Sequence, residues 1–191
     1  MKEFMQSLRS LVFFTVLLGL VYPLTMTGLS QVLFRDKANG SLIKKDQTII
    51  GSELIAQKFT KPEYFWPRPS GCDFNPIPSG ASNLGPTSGD LRKQISDRRQ
   101  ELARAFSVQE SEIPQDLLTT SGSGLDPHVS PEGARIQIPR IMKAKKWPSS
   151  SLQRLEDLVD SMTERPTLGI LGDKRVNVLR LNLALEELKV N

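Results

Sequence analysis

Leu11 to Phe34 reads LVFFTVLLGLVYPLTMTGLSQVLF, 24 residues without a charge, 14 of them Leu, Val or Phe. As a helix this stretch is about 36 Å long at 1.5 Å per residue, enough to cross a hydrocarbon core of about 30 Å with some tilt. Pro23 near its middle removes one backbone donor and predicts a kink, tolerable in lipid when a neighbouring helix or a Thr side chain compensates. Gly19 and Gly28 offer close approach to another helix. Two other readings compete. A cleaved signal peptide has a basic start, and Lys2 and Arg9 supply one, but the apolar run is too long and no small-residue cleavage site follows in Arg35-Asp36-Lys37-Ala38-Asn39. A buried core helix fits poorly because the run is apolar on all sides. The expectation is a tail over 1–10, a single transmembrane helix over 11–34 and one soluble α+β or α/β domain over 35–191.

The whole chain has 191 residues, 38% hydrophobic and 24% charged. Those values exclude a protein of many spans. Lys and Arg number 25 against 21 Asp and Glu, a net charge of +4, too small an excess for a nucleic-acid binder of this length. One histidine and one cysteine, His128 and Cys72, are too few for a zinc site built from those residues or for an internal disulfide. Charge gives no firm orientation. Arg35, Lys37, Lys44 and Lys45 after the span outnumber Lys2 and Arg9 before it, which by simple counting places the domain in the cytoplasm, yet long domains translocate largely regardless of charge.

Beyond the span, Pro62 to Pro86 holds six of the 13 prolines, which excludes a helix or a central strand. Tyr64, Phe65, Trp66, Phe74, Ile77 and Leu84 in the same stretch call for burial, so it reads as an ordered loop pinned by aromatics. Short strands are expected at Ser41–Ile43 and Thr48–Ile50. The spacing of Leu91, Ile95, Leu102 and Phe106 predicts a helix from about Asp90 to Phe106, with Arg92, Lys93, Arg98, Arg99 and Arg104 on its wet face. Pro114 opens a short turn with Leu117 and Leu118, and Ser130 caps a helix starting at Pro131, broken or restarted at Pro139. Leu152, Leu155, Val159 and Met162 form an amphipathic stripe after Ser150 or Ser151. Gly169 and Gly172 mark a turn. From Val176 to Leu188 a helix capped by Asn177 competes with a strand, because Leu179, Leu181, Leu183 and Leu185 alternate.

Signals for catalysis are thin. Ser121, Ser123, Asp126 and His128 contain the residue types of a nucleophilic triad, without the G-x-S-x-G elbow that exposes a serine; hydrogen bonding that fixes a loop explains them as well. No G-x-x-x-x-G-K-[ST] phosphate loop occurs. Asp126 and His128 are too few local ligands for a closed metal site. Arg135, Arg140, Lys143, Lys145 and Lys146 read first as a solvated helix face and second as a contact for acidic headgroups or carboxylates, with Trp147 as a packing anchor. The residues leave an accessory subunit of a membrane complex, or a membrane-tethered nucleotide-binding regulator or enzyme with an unrecognised site.

Several motifs in order narrow this choice: Tyr22-Pro23-Leu24; Tyr64-Phe65-Trp66-Pro67-Arg68-Pro69-Ser70; Phe74-Asn75-Pro76; Ser79-Gly80-Ala81-Ser82-Asn83-Leu84-Gly85-Pro86-Thr87; Thr120 through Pro131; and Val176-Asn177-Val178-Leu179 with Leu181-Asn182-Leu183-Ala184-Leu185. Together they resemble the C chain of bacterial potassium-transporting ATPases, the KdpC family, over nearly the whole length. Departures are small: Pro67 and Ala81 stand where the family commonly has glycine, and Pro67 stiffens the turn before Arg68. The resemblance implies a non-catalytic subunit of a high-affinity potassium uptake pump in the bacterial inner membrane. Its implied partners are a channel-like potassium-selective subunit, a P-type ATPase subunit, a very small helical subunit and membrane lipid, with no nucleic acid. The implied role is assembly and the admission of potassium, with the soluble domain on the external side. The resemblance also suggests ATP at Ser79, Gly80, Ser82 and Asn83; an external domain meets no ATP pool, so the expectation is no cofactor of its own, no metal and no catalytic residue. Interface or structural candidates are Pro23, Gly28, Arg68, Ser70, Asn75, Asp126, His128, Asn177 and Asn182.

Overall fold

The computed structural model describes residues 1–188, so the last three residues of the expected 35–191 domain lie outside the described part. The chain forms two compact units, Met1–Ile50 and Gly51 to the C-terminus. The division falls inside the strand Thr48–Ser52.

The first unit is dominated by one unbroken helix, α1, Lys2–Leu33. At 32 residues it is about 48 Å long, and the stretch expected to be a tail over 1–10 is its first turns. Its side chains from Leu11 to Leu33 face outward, with large exposed hydrophobics on every side. That pattern is costly in water and favourable in lipid. Around Pro23 the ladder widens into a π turn at Leu17–Val21, where the Tyr22 N–H donates to the Leu17 carbonyl. The wide turn accommodates a residue that lacks an N–H and whose ring crowds the carbonyl four residues back. Nothing lies within 4 Å of a Cβ built at Gly19 or Gly28, so both are open to a neighbour. After the short α2, Arg35–Ala38, come β1, Leu42–Lys45, and β2, Thr48–Ser52, which pair as a two-stranded sheet. Asp46 and Gln47 between them both have positive φ, the geometry of the tight hairpin turn whose twist matches the strands.

The second unit is α+β. Its helices are α3, Gly89–Phe106; α4, Pro131–Arg135; α5, Ile138–Lys145; α6, Leu152–Ser161; and α7, Val178–Glu187. The strands β3, His128–Val129; β4, Thr163–Glu164; and β5, Arg175–Asn177, form an antiparallel sheet in the order β3-β5-β4, with Val129 and Thr163 flanking Val176. Capping side chains set the starts: Ser88 Oγ accepts from the Leu91 N–H, Ser130 Oγ from Gly133 and Asn177 Oδ1 from Arg180. Pro139 sits in the first turn of α5, where a missing donor costs nothing. The helix reading of Val178–Glu187 prevails over the strand reading because Asn177 caps it and Val178, Leu181 and Leu185 fall on one buried stripe.

One core joins Phe106 of α3, Ile138 and Ile141 of α5, Leu155 and Val159 of α6, Leu181 and Leu185 of α7, and Phe65 from the proline-rich loop. Each such side chain, fully buried, contributes roughly 1.5–3 kcal/mol. Some expectations need correcting. Leu152 and Ile77 are exposed: Leu152 lies in the first turn of its helix, ahead of the stripe, and Ile77 projects from a turn. Arg140, assigned to a solvated face, is buried. Arg98, assigned to the wet face of α3, is half-buried and donates to the Leu118 carbonyl at 3.0 Å; burial lowers its pKa.

Candidate functional site

The proline-rich loop is held by three side chains. Asn182 Oδ1 accepts from the Phe65 N–H at 2.8 Å and its Nδ2 donates to the Phe65 carbonyl at 2.9 Å. Gln137 repeats the arrangement on the next residue, accepting from the Trp66 N–H at 2.7 Å and donating to the Trp66 carbonyl at 3.1 Å. A carboxamide both donates through its NH2 and accepts through its oxygen, so it satisfies the N–H and the carbonyl of a residue that no strand pairs, and Gln137 spends its second N–H on the Gly133 carbonyl at 2.8 Å. Arg140 donates to the carbonyls of Pro62 at 2.8 Å and Tyr64 at 2.9 Å, and its guanidinium lies 4.0 Å from the Trp66 ring centroid. Burial lowers its pKa to about 10, which leaves it charged at neutral pH.

With Phe65 and Trp66 fixed, Pro67 and Pro69 restrict the backbone on both sides of Arg68. Arg68 Nη1 donates to Asp126 Oδ2 at 2.9 Å. Asp126 Oδ1 accepts from the His128 N–H at 3.0 Å and lies 3.3 Å from His128 Nδ1. Burial pushes the Asp126 carboxyl upward, but hydrogen bonds from the His128 ring and N–H, together with Arg68, outweigh it and hold the carboxyl below its ordinary value. These three residues line a cavity of about 310 Å³ that also takes in Asp116, Ser130 and Asp173–Arg175. Asp116 Oδ2 accepts from the Ser130 N–H at 2.7 Å, tying the start of α4 to the cavity wall. A Cβ at position 133 would lie 3.0 Å from Ser130 Oγ and 3.1 Å from Asp116 Oδ2, so a side chain there would push both by a few tenths of an ångström.

This cavity is polar and of mixed charge. Its one serine, Ser130, caps α4 by accepting from the Gly133 N–H, and its charged lining suits recognition of a charged group. Ser121 Oγ accepts from the Asp126 N–H at 3.5 Å and Ser123 Oγ from the Leu125 N–H at 3.1 Å, and the His128 ring bonds to Asp126 and to neither serine. The triad reading fails on that geometry. Among the described residues no group of three or more His, Cys, Asp or Glu is placed to hold a metal ion.

The other candidates divide. Ser70 Oγ accepts from the Cys72 and Phe74 N–H groups, making a turn. Asn75 Oδ1 accepts from Ile77 N–H at the exposed end of the loop. Asn177 caps α7 and its Nδ2 donates to the Glu53 carbonyl at 2.8 Å. Gly80 packs its carbonyl where a Cβ at Gly124 would come within 2.7 Å, so the Ser79-to-Asn83 segment is used in loop-to-loop packing. Within the basic stretch, Arg135 pairs with Asp160, and Lys145 Nζ lies 5.7 Å from the Tyr64 ring and 5.2 Å from Trp147. Gln137 and Asp116 were not foreseen. The signal for Gln137 is its spacing, three residues after Ala134 and four before Ile141, an interval at which a polar side chain must find internal partners.

Comparison with known proteins places the chain in a family. The family model described as K+-transporting ATPase, c chain, matches residues 4–187. A Rhodospirillum rubrum protein named potassium-transporting ATPase KdpC subunit is 51% identical over 175 residues, covering 91% of this chain and 89% of the relative. A protein of the same name from Paraburkholderia phytofirmans is 46% identical over 178 residues, covering 92% and 91%. One from Geotalea uraniireducens is 44% identical over 192 residues, covering 98% and 99%. The match takes in α1 as well as the folded unit, and on that ground the chain belongs to the KdpC family of K+-transporting ATPase c chains.

Proposed function

We propose that this protein is the accessory, non-catalytic subunit of an ATP-driven potassium import pump of the P-type. The observation that carries the reading is the family match over residues 4–187, which runs through both the apolar helix and the folded unit. α1 anchors the chain in the inner membrane and packs against a channel-like potassium-selective subunit, using the open faces at Gly19 and Gly28 and the π turn before Pro23. The folded unit lies on the external side, where the proline-rich loop and the Asp126–His128 loop order the surface through which potassium reaches that subunit. A P-type ATPase subunit and a very small helical subunit complete the complex. The chain carries no cofactor of its own.

The test is replacement of the chain in cells that rely on this pump at micromolar potassium. Loss of the chain abolishes growth and potassium-stimulated ATPase activity, and the full chain restores both. Gly28→Leu, which fills the open face, lowers the yield of assembled complex. Normal growth and normal ATPase activity without the chain contradict the subunit role; normal assembly of Gly28→Leu contradicts only the packing role of that face.

A further inference from the structure

Between β4 and β5 the chain turns through Pro166-Thr167-Leu168-Gly169-Ile170-Leu171-Gly172. Leu168, Ile170 and Leu171 are 86%, 81% and 60% exposed. Exposure here does not come from a loose loop. Thr167 N–H donates to the Leu171 carbonyl at 2.9 Å, Leu171 N–H returns to Thr167 at 3.0 Å, and Gly169 N–H donates to Pro166 at 2.9 Å. The turn satisfies its own backbone and holds three aliphatic side chains outward. Leu168 has φ of 56°, a left-handed conformation that Gly or Asn adopts at less cost. Folding alone gives no reason for leucine there. A local rule broken without a structural gain marks a residue kept for its surface.

We propose that this turn is a docking prong that inserts into an apolar groove, rimmed by charges of both signs, on a partner subunit of the same membrane complex. The inference rests on the subunit reading above and adds the contact. Three observations choose the occupant. The flanks carry Arg165, Lys174 and Arg175 against Glu164 and Asp173, and Arg175 Nε already donates to Glu164 at 2.9 Å. An apolar centre with a mixed-charge rim is the anatomy of a protein interface. A loop that dips into a bilayer calls instead for interfacial aromatics and a one-signed basic flank, and Thr163 to Leu188 contains no aromatic residue. Finally, three side chains expose a patch of at most a few hundred Å², well short of the roughly 800 Å² per partner of a self-standing dimer. The prong is therefore a hot spot within a larger contact, and the cavity beside it extends that contact: Asp173, Lys174 and Arg175 leave the turn and line the same cavity as Arg68 and Asp126.

The test uses the full chain in membranes that contain the whole complex. A photoreactive phenylalanine analogue replaces Ile170, the membranes are illuminated, and adducts are identified by peptide mass spectrometry. The expected result is an adduct with one subunit of the potassium-transporting ATPase. In parallel, the double variant Leu168→Asn with Ile170→Ser is expected to be retained in the detergent-washed complex roughly tenfold less than the original chain, and Ile170→Ser alone by a smaller factor. Unchanged thermal unfolding of both variants confirms that they fold. Lipid-only adducts, a self-adduct, or equal retention of folded variants each overturn the prong while leaving the subunit reading intact. Failure of the original chain itself to co-purify overturns both.

Discussion

Replacing Asn182 with alanine is the sharpest test of how the proline-rich loop is held. The side chain makes two hydrogen bonds to Phe65, at 2.8 and 2.9 Å, and both residues are buried. Alanine leaves the Phe65 N–H and carbonyl without partners in the core. A buried group left unpaired costs about 1–3 kcal/mol, so the variant loses about 2–5 kcal/mol, after allowing some water into the space created. A domain's whole folding free energy is about 5–15 kcal/mol, so this is a large fraction. With a urea slope of about 2 kcal/mol per molar, the midpoint falls by about 1–2.5 M. Trp66 and Trp147 both lie in the folded unit, and Trp66 follows the clamped residue directly, so tryptophan fluorescence in detergent reads the transition. Ser123→Ala, on the exposed part of a loop, changes stability by no more than about 0.5 kcal/mol and serves as the control. A loss below about 0.5 kcal/mol for Asn182→Ala refutes the clamp.

Three further outcomes follow from the same geometry. Arg140→Met removes three hydrogen bonds from the guanidinium, to the Pro62 and Tyr64 carbonyls and to Gln137 Oε1, and the stack on Trp66, and destabilises by about 2–4 kcal/mol with a red shift of Trp66 emission, measured by urea unfolding. Asp126 has a depressed folded-state pKa, so its contribution is present above the ordinary carboxylate pKa and is lost as pH falls through the folded value. Asp126→Asn therefore lowers the urea midpoint at pH 7 and converges on the original chain at the acid end of a pH series. Gly124 has φ of 71° and its Cβ would meet Cys72 Sγ and the Gly80 carbonyl at 2.7 Å, so Gly124→Ala destabilises by about 1–3 kcal/mol in a thermal scan.

Much of this was legible in the chain because the signals are local. Hydropathy located α1, proline and serine located the starts of α4 and α5, and heptad-like spacing located α3 and α6. Asn177 was readable as a cap. The extension of α1 to Lys2 was not, because Lys2, Gln6 and Arg9 interrupt hydropathy without interrupting a helix. The candidate site was half legible. Arg68, Asp126 and His128 were singled out separately by motif, but their meeting depends on a loop folded back across 58 residues. Arg140 was misread because basic residues are ordinarily solvated; its burial follows from Pro62, Tyr64 and Trp66, which no local pattern links to it. Asp116 joined the cavity through a backbone contact to Ser130, and nothing in its neighbourhood announces that role. The strand reading of Leu179–Leu185 was a fair competitor until the Asn177 cap and the buried stripe decided it.

The central claim is an accessory subunit whose folded unit works on the external face of the membrane. Cys72, the sole cysteine, tests it. It is partly exposed, and the Ser70 hydroxyl hydrogen bond lowers its thiol pKa, which favours reaction near neutral pH. Cells are treated with a membrane-impermeant maleimide, intact and after inner-membrane permeabilisation. Equal labelling in intact cells is the predicted result. Labelling only after permeabilisation contradicts the account, places the unit in the cytoplasm and returns Ser79, Gly80, Ser82 and Asn83 to contention as a nucleotide contact.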